Sequence, residues 1–133
     1  MDMQFSKETA NTSKSIHTTI PALFKAHMLA PIKPANIFFD DTSTSFQDLD
    51  RSSNHVANFL LKHNIKHEAF VAVLMERSTD AISSQLGILK SGGAYVPLSP
   101  NDFPLARIIS IFEDTQARFI ISHKKHADLI EAL

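Results

Sequence analysis

At 133 residues, 44% apolar and 20% charged, the chain has the length and composition of one folded domain, neither disordered nor coiled-coil. A net charge of −1 and a pI near 6.6 give no electrostatic pull toward nucleic acid or an anionic membrane. The absence of cysteine excludes a disulfide framework and a thiolate metal site.

Residues 1–17 (Met1 to His17), rich in Ser, Thr, Lys and Asn, read as a flexible polar tail, and residues 18–133 as the folded segment. No apolar stretch in Met1 to Lys14 suits a signal peptide, and every apolar run falls far short of the ~20 residues that cross a bilayer. The expected location is cytoplasmic.

Ile20, Leu23, Phe24 and Met28 fall at helical spacing, with Thr18 or Thr19 as cap and Pro21 in the first turn. Pro31 ends that helix and Pro34 keeps the connection extended. Ile37-Phe38-Phe39 is a short strand that breaks at Asp40-Asp41. Ser45, with Asp48 three residues on, opens a long helix whose apolar face is Phe46, Leu49, Val56, Phe59 and Leu60, and Asn64 marks its end.

The remainder reads as strand-helix units. Phe70 to Met75 is apolar throughout rather than alternating, as a parallel strand covered on both faces requires. Ser78 caps the next helix, Asp80 favours its positive end, and Ile82, Leu86 and Leu89 face inward. Gly92 or Gly93 supplies the positive φ that stops this helix, with Lys90 near its carbonyl end. Ala94-Tyr95-Val96 is a strand ended by Pro97. Asp102 and Pro104 open a helix with a Leu105, Ile108, Ile109, Phe112 stripe, Phe119-Ile120-Ile121 is the next strand, and Ala127 to Leu133 begins a helix. The fold class is α/β, with parallel strands near 71–75, 94–97 and 118–122 joined by helical crossovers.

Candidate chemistry is sparse. His63 with His67, and His123 with His126, lack a third ligand at a recognisable spacing, so solvated side chains are the expectation. Asp40-Asp41 after a strand could hold Mg²⁺, but an acidic turn is the commoner meaning. Glu76-Arg77 follows a parallel strand at its carboxyl end, where α/β ligand sites form. Ser91-Gly92-Gly93 follows a helix and precedes a strand, the reverse of the order that phosphate cradles need, so it reads as a turn. A receiver-like phospho-acceptor domain, suggested by the acidic pair and Lys124, requires an Asp closing a central strand; Glu76 and Pro97 stand there instead.

Leu89-Lys90-Ser91-Gly92-Gly93-Ala94-Tyr95-Val96-Pro97-Leu98 resembles the second core motif of the amino-acid-activating adenylation domains of nonribosomal peptide synthetases, within the adenylate-forming, AMP-binding superfamily. That motif commonly runs Leu-Lys-Ala-Gly-x-Ala-Tyr-Val-Pro-Ile-Asp. Ser91 replaces the usual Ala, and Ser99 the usual Asp. Ser45-Phe46-Gln47-Asp48-Leu49 is similar to the first core motif, Thr19 to Phe24 to the opening helix, and Arg107 to Ser122 to the helix and strand after the second motif. The resemblance covers Thr18 to Ser122 and implies the amino-terminal part of the large domain of such an enzyme, incomplete over 18–133.

In the intact family a carboxylate joins ATP as an acyl-adenylate, pyrophosphate leaves, and the acyl group passes to a carrier thiol. The resemblance implies ATP, Mg²⁺, a carrier protein and the rest of the synthetase as requirements and partners of that parent enzyme. The phosphate-gripping loop, the ribose-holding Thr-Gly-Asp segment and the mobile domain with its catalytic lysine have no match here. No catalytic, cofactor-binding or metal residue is therefore carried over, and for this chain alone no cofactor, nucleic acid or membrane is expected. The expected role is a scaffold fragment, not catalytic alone, although its family is a ligase family. The alternative is a non-catalytic protein-interaction module derived from such a domain.

Overall fold

The computed structural model describes residues 18–32 and 36–133. The tail expected over residues 1–17 and the connection at Pro34 lie outside the described residues. In chain order the elements are α1 (Ile20–Met28), β1 (Ile37–Phe39), β2 (Thr42–Thr44), α2 (Phe46–Lys62), β3 (Phe70–Leu74), α3 (Thr79–Lys90), β4 (Ala94–Leu98), α4 (Leu105–Thr115), β5 (Phe119–Ser122), a 3₁₀ turn (Lys124–His126) and α5 (Ala127–Glu131).

Local signals set most of these boundaries. Thr19 caps α1 by accepting from the Ala22 N–H, and Ser78 caps α3 by accepting from Ala81. Ser45 accepts from the Asp48 N–H at 3.0 Å while its hydroxyl donates to the Asp48 carboxylate at 2.7 Å. Two helices stop in the same way. Gly92 (φ +82°) and Asn64 (φ +56°) each turn left-handed after the last helical turn. Their N–H groups go to Leu89 and Leu61, while Gly93 and Ile65 reach back to Ile88 and Leu60, so the terminal carbonyls are satisfied.

The parallel sheet has the order β4-β3-β5, with Val71 opposite Tyr95 on one side and Phe119 on the other. β3 alternates its buried side chains between two cores. Val71, Val73 and Met75 pack with Leu60 of α2 and with Ala81 and Ile88 of α3. Ala72 and Leu74 pack with Leu98, Ile108 of α4 and Ala117, flanked by Leu129 and Ile130. The sheet is thus sandwiched between helices, which explains why β3 shows no polar alternation.

Several expectations need correction. Thr42–Thr44 forms a second strand paired antiparallel with β1, and Asp40-Asp41 is the hairpin turn between them. Pro97 does not end β4 but sits inside it, opposite Val73. Within its sheet β4 is an edge, where a residue without an N–H is tolerated. Phe59 and Ile82 are exposed, whereas Leu49, Leu60 and Leu86 are buried as expected, together with Ser53, Ala57, Ala81, Ser84 and Ile88. Where the two helices cross most closely, Gly87 of α3 faces Ser53 and Val56 of α2, with Leu60 and Ile88 packed alongside. On α4, Leu105 is exposed and Ile108 alone is fully buried.

Candidate functional site

The carboxyl ends of β3 and β5 are held together by the Ser122 hydroxyl, which donates to the Leu74 carbonyl at 2.6 Å. Just beyond them, Glu76 meets three basic side chains from the β5–α5 connection. Lys125 Nζ lies 2.9 Å from Glu76 Oε1, and His126 Nε2 lies 3.2 Å from Oε2. His123 Nδ1 is 4.0 Å from the same Oε2. The other ring nitrogen of His123 is 3.0 Å from Asp80 Oδ2, in the first turn of α3. Hydrogen bonds from Lys125 first, then the backbone and His126, hold the Glu76 carboxyl down to about 2.

His123 and His126 are therefore not free solvated side chains. The fold supplies a third candidate ligand that no sequence spacing revealed. Among the described residues, Glu76, His123 and His126 are the one group whose donor atoms gather closely enough for a metal ion. His63 stays exposed, with its Nδ1 2.8 Å from the Phe59 carbonyl and its ring against Phe59, and His67 lies beside Gly92. Asp40 and Asp41 are exposed in their hairpin turn, and Lys124 is exposed at the start of the 3₁₀ turn. The central strand β3 runs into Met75 and Glu76, with no aspartate at the phospho-acceptor position.

Glu76 and Arg77 also border a cleft of about 610 Å³. One wall is the hairpin strand Ile37 to Phe39, the floor is Val73 and Met75, and Ile82, Leu98 and Phe103 complete an apolar lining. Phe38 is 74% exposed and Ile82 43% exposed, unusual for such large apolar groups clustered around one opening. The sequence placed Glu76-Arg77 at a strand end of the kind that borders ligands, and the cleft occupies that position.

The Leu89 to Leu98 motif performs a different task. The N–H groups of Gly92 and Gly93 are spent on helix carbonyls, and the Gly92 carbonyl accepts from Glu68 at 2.7 Å. A helix carboxyl end with its donors committed does not fit a phosphate, so the turn offers ATP no cradle. Lys90 does not simply face its own helix end. Its Nζ reaches α2, within 2.6 Å of Asp50 Oδ1 and 2.8 Å of both Ser53 Oγ and Asn54 Oδ1. It also lies 5.7 Å from the centre of the Phe24 ring, itself stacked on Phe46. The motif lysine ties α3 to α2 and leans on α1.

No helix among the described residues is long and apolar enough to cross a membrane. The sequence model of the AMP-binding enzyme family matches residues 24–133. Surfactin synthase subunit 1 of Bacillus subtilis (strain 168) is 44% identical over 111 residues, which are 82% of this chain and 3% of that protein. Tyrocidine synthase 1 of Brevibacillus parabrevis is 33% identical over 117 residues, 88% of this chain and 10% of that protein. Among solved structures, the nonribosomal peptide synthetase FmoA3 in its alpha-methyl-L-serine-AMP bound form superposes with a TM-score of 0.76 at 21% identity, over 84% of this chain and 12% of that one. The chain thus spans a small part of the relatives it matches. It belongs to the AMP-binding enzyme family, as the amino-terminal portion of an adenylation domain of the nonribosomal-peptide-synthetase type.

Proposed function

We propose that this chain is a scaffold portion of a cytoplasmic, amino-acid-activating adenylation domain, and that it does not catalyse adenylation by itself. The whole reaction would join an amino-acid carboxylate to ATP, release pyrophosphate and pass the acyl group to a carrier thiol. ATP, Mg²⁺ and the carrier protein belong to that larger assembly. What supports the scaffold role is the Leu89–Leu98 corner. Its glycine N–H groups close a helix, and its lysine bridges helices, so the family motif sets the position of β4 rather than gripping a nucleotide. Acyl-adenylate formation needs donors aimed at the charge developing on the α-phosphate. Losing even one such donor typically costs ~10²–10³ in rate.

The test is amino-acid-dependent pyrophosphate exchange with the purified chain and each of the twenty standard amino acids, together with an ATP thermal-shift titration. The expected result is no exchange above blank and no shift. An exchange signal that follows the folded chain through successive chromatographic steps would overturn the reading.

The exposed cleft supports a second reading, a partner-docking module. A large apolar lining left open is suited to cover by later strands and helices of an adenylation domain, or by another protein. Both readings expect hydrophobic-dye binding that Phe38→Ser and Ile82→Ser reduce. A chain that binds no dye and unfolds cooperatively at high temperature as a monomer would count against both.

A further inference from the structure

We propose that Glu76, His123 and His126 bind a divalent transition-metal ion of the zinc class, with Asp80 orienting His123. This inference does not rest on the adenylation reading. Its basis is the convergence of the three donors from two separate parts of the chain: Glu76 just after β3, and both histidines just after β5.

The geometry is close to what such an ion needs. Donor atoms around tetrahedral zinc lie about 2.0–2.2 Å from the metal and therefore about 3.3 Å from one another. Glu76 Oε2 is 3.2 Å from His126 Nε2 and 4.0 Å from His123 Nδ1, and all three donors lie within 4.8 Å of one another. Binding requires His123 Nδ1 to move toward Glu76 Oε2 from its 4.0 Å separation. The strand ends beneath the site are fixed to each other by the Ser122 to Leu74 hydrogen bond.

Metal binding releases to solvent the proton that His126 Nε2 donates to Glu76, and the surroundings prepare the other donors. Asp80 Oδ2 sits 3.0 Å from His123 Nε2, so this carboxylate accepts a hydrogen bond from Nε2–H and leaves the Nδ1 lone pair on the side of Glu76. A carboxylate behind a ligating imidazole is the recurrent support for such ligands. Lys125 occupies Oε1 of Glu76 and leaves Oε2 turned to the histidines. Lys125 is also the competing cation, but its side chain is 61% exposed and can swing into solvent. Two imidazoles and one carboxylate suit Zn²⁺, Co²⁺ or Ni²⁺; Mg²⁺ and Ca²⁺ prefer an all-oxygen set. Three protein ligands leave a fourth position for water or an incoming anionic group. Glu76 also borders the 610 Å³ cleft, so this position lies beside its mouth.

The experiment titrates the chelator-treated 133-residue chain with Zn²⁺ by calorimetry and with Co²⁺ by visible absorption. One ion per chain is expected, with the Co²⁺ spectrum of a four-coordinate site. His126→Gln should abolish saturable binding. Asp80→Asn, a change at an exposed side chain, should weaken it by ~10–100-fold. His63→Gln, outside the cluster, should leave it unchanged. Circular dichroism confirms that each variant is folded. The absence of saturable Zn²⁺ binding to the parent chain would overturn the proposal. So would an affinity that folded His126→Gln and Asp80→Asn chains both retain, because the ion would then lie elsewhere.

Discussion

Gly87 is where the packing of α2 against α3 can be tested with one carbon atom. It is buried toward the carboxyl end of α3. A Cβ placed there would lie 2.6 Å from the Ser53 carbonyl oxygen, 2.6 Å from Val56 Cβ and 2.8 Å from Val56 Cγ1. Helix propensity alone favours Gly87→Ala by ~1 kcal/mol, because alanine restricts the unfolded backbone and glycine does not. Packing opposes it. Two of the three atoms are a backbone oxygen and a Cβ, neither of which a side-chain rotation can move. The helices must separate, and a gap of ~0.5–1 Å already forfeits a quarter to a half of each dispersion contact along the seam. That seam includes Leu60 and Ile88, both fully buried. Overpacking typically costs ~1–3 kcal/mol, and the backbone partner puts this case toward the upper end, so the net loss should be about 1–2 kcal/mol after the propensity gain. Urea denaturation followed by far-UV circular dichroism should show a lower midpoint with an unchanged slope. Adding Val56→Ala should recover little, since it removes only the Cγ1 contact. A Gly87→Ala chain as stable as the parent, or more stable, would refute the close crossing.

Three further outcomes are expected. Gly92→Val should cost more than ~1 kcal/mol because its φ is +82°, and Gly93→Val should cost a similar amount by collision, since even a Cβ there meets Ile65, Ile88 and the Ala69 carbonyl at 3.0–3.2 Å; chemical denaturation with both variants at parental stability would show the turn to be placed wrongly. Lys90→Met should lose about 1–3 kcal/mol by stranding the partly buried Asp50 carboxylate, whereas Arg51→Met, at an exposed ion pair, should change stability by less than ~1 kcal/mol. Glu76 has its carboxyl lowered from 4.5 to about 2, so the unfolded chain binds the extra proton between those values; its contribution is present above pH 4.5 and disappears as pH falls toward 2. Denaturation midpoints in chelator across that window should fall less steeply for Glu76→Gln than for the parent, and parallel slopes would refute the assignment.

Local chemistry along the chain sets the helix starts, the helix ends and the central strand. A serine before a helical stripe, an asparagine or glycine after one, and an apolar run without alternation each act within four or five residues, so Ser45, Ser78, Asn64, the Gly92-Gly93 turn and β3 are legible, while the backbone alone shows that Gly92 carries the positive φ. The family was legible too, because its motif is a contiguous string. The hairpin partner Thr42–Thr44 leaves no mark in the sequence because three polar residues carry no periodic signal. Pro97 has the look of a strand end in the sequence because only the sheet order reveals that its strand lies at an edge. Phe59 and Ile82 read as core by spacing, yet both are exposed, because which face of a helix is covered depends on how it crosses its neighbour, here at Gly87 against Ser53 and Val56. Tertiary structure alone decided the long-range partners. Lys90 finds Asp50 from another helix, and Glu76 finds His123 and His126 from another strand. Spacing along a chain reports which groups share a face of one element; only the crossing of elements decides which groups from different elements meet.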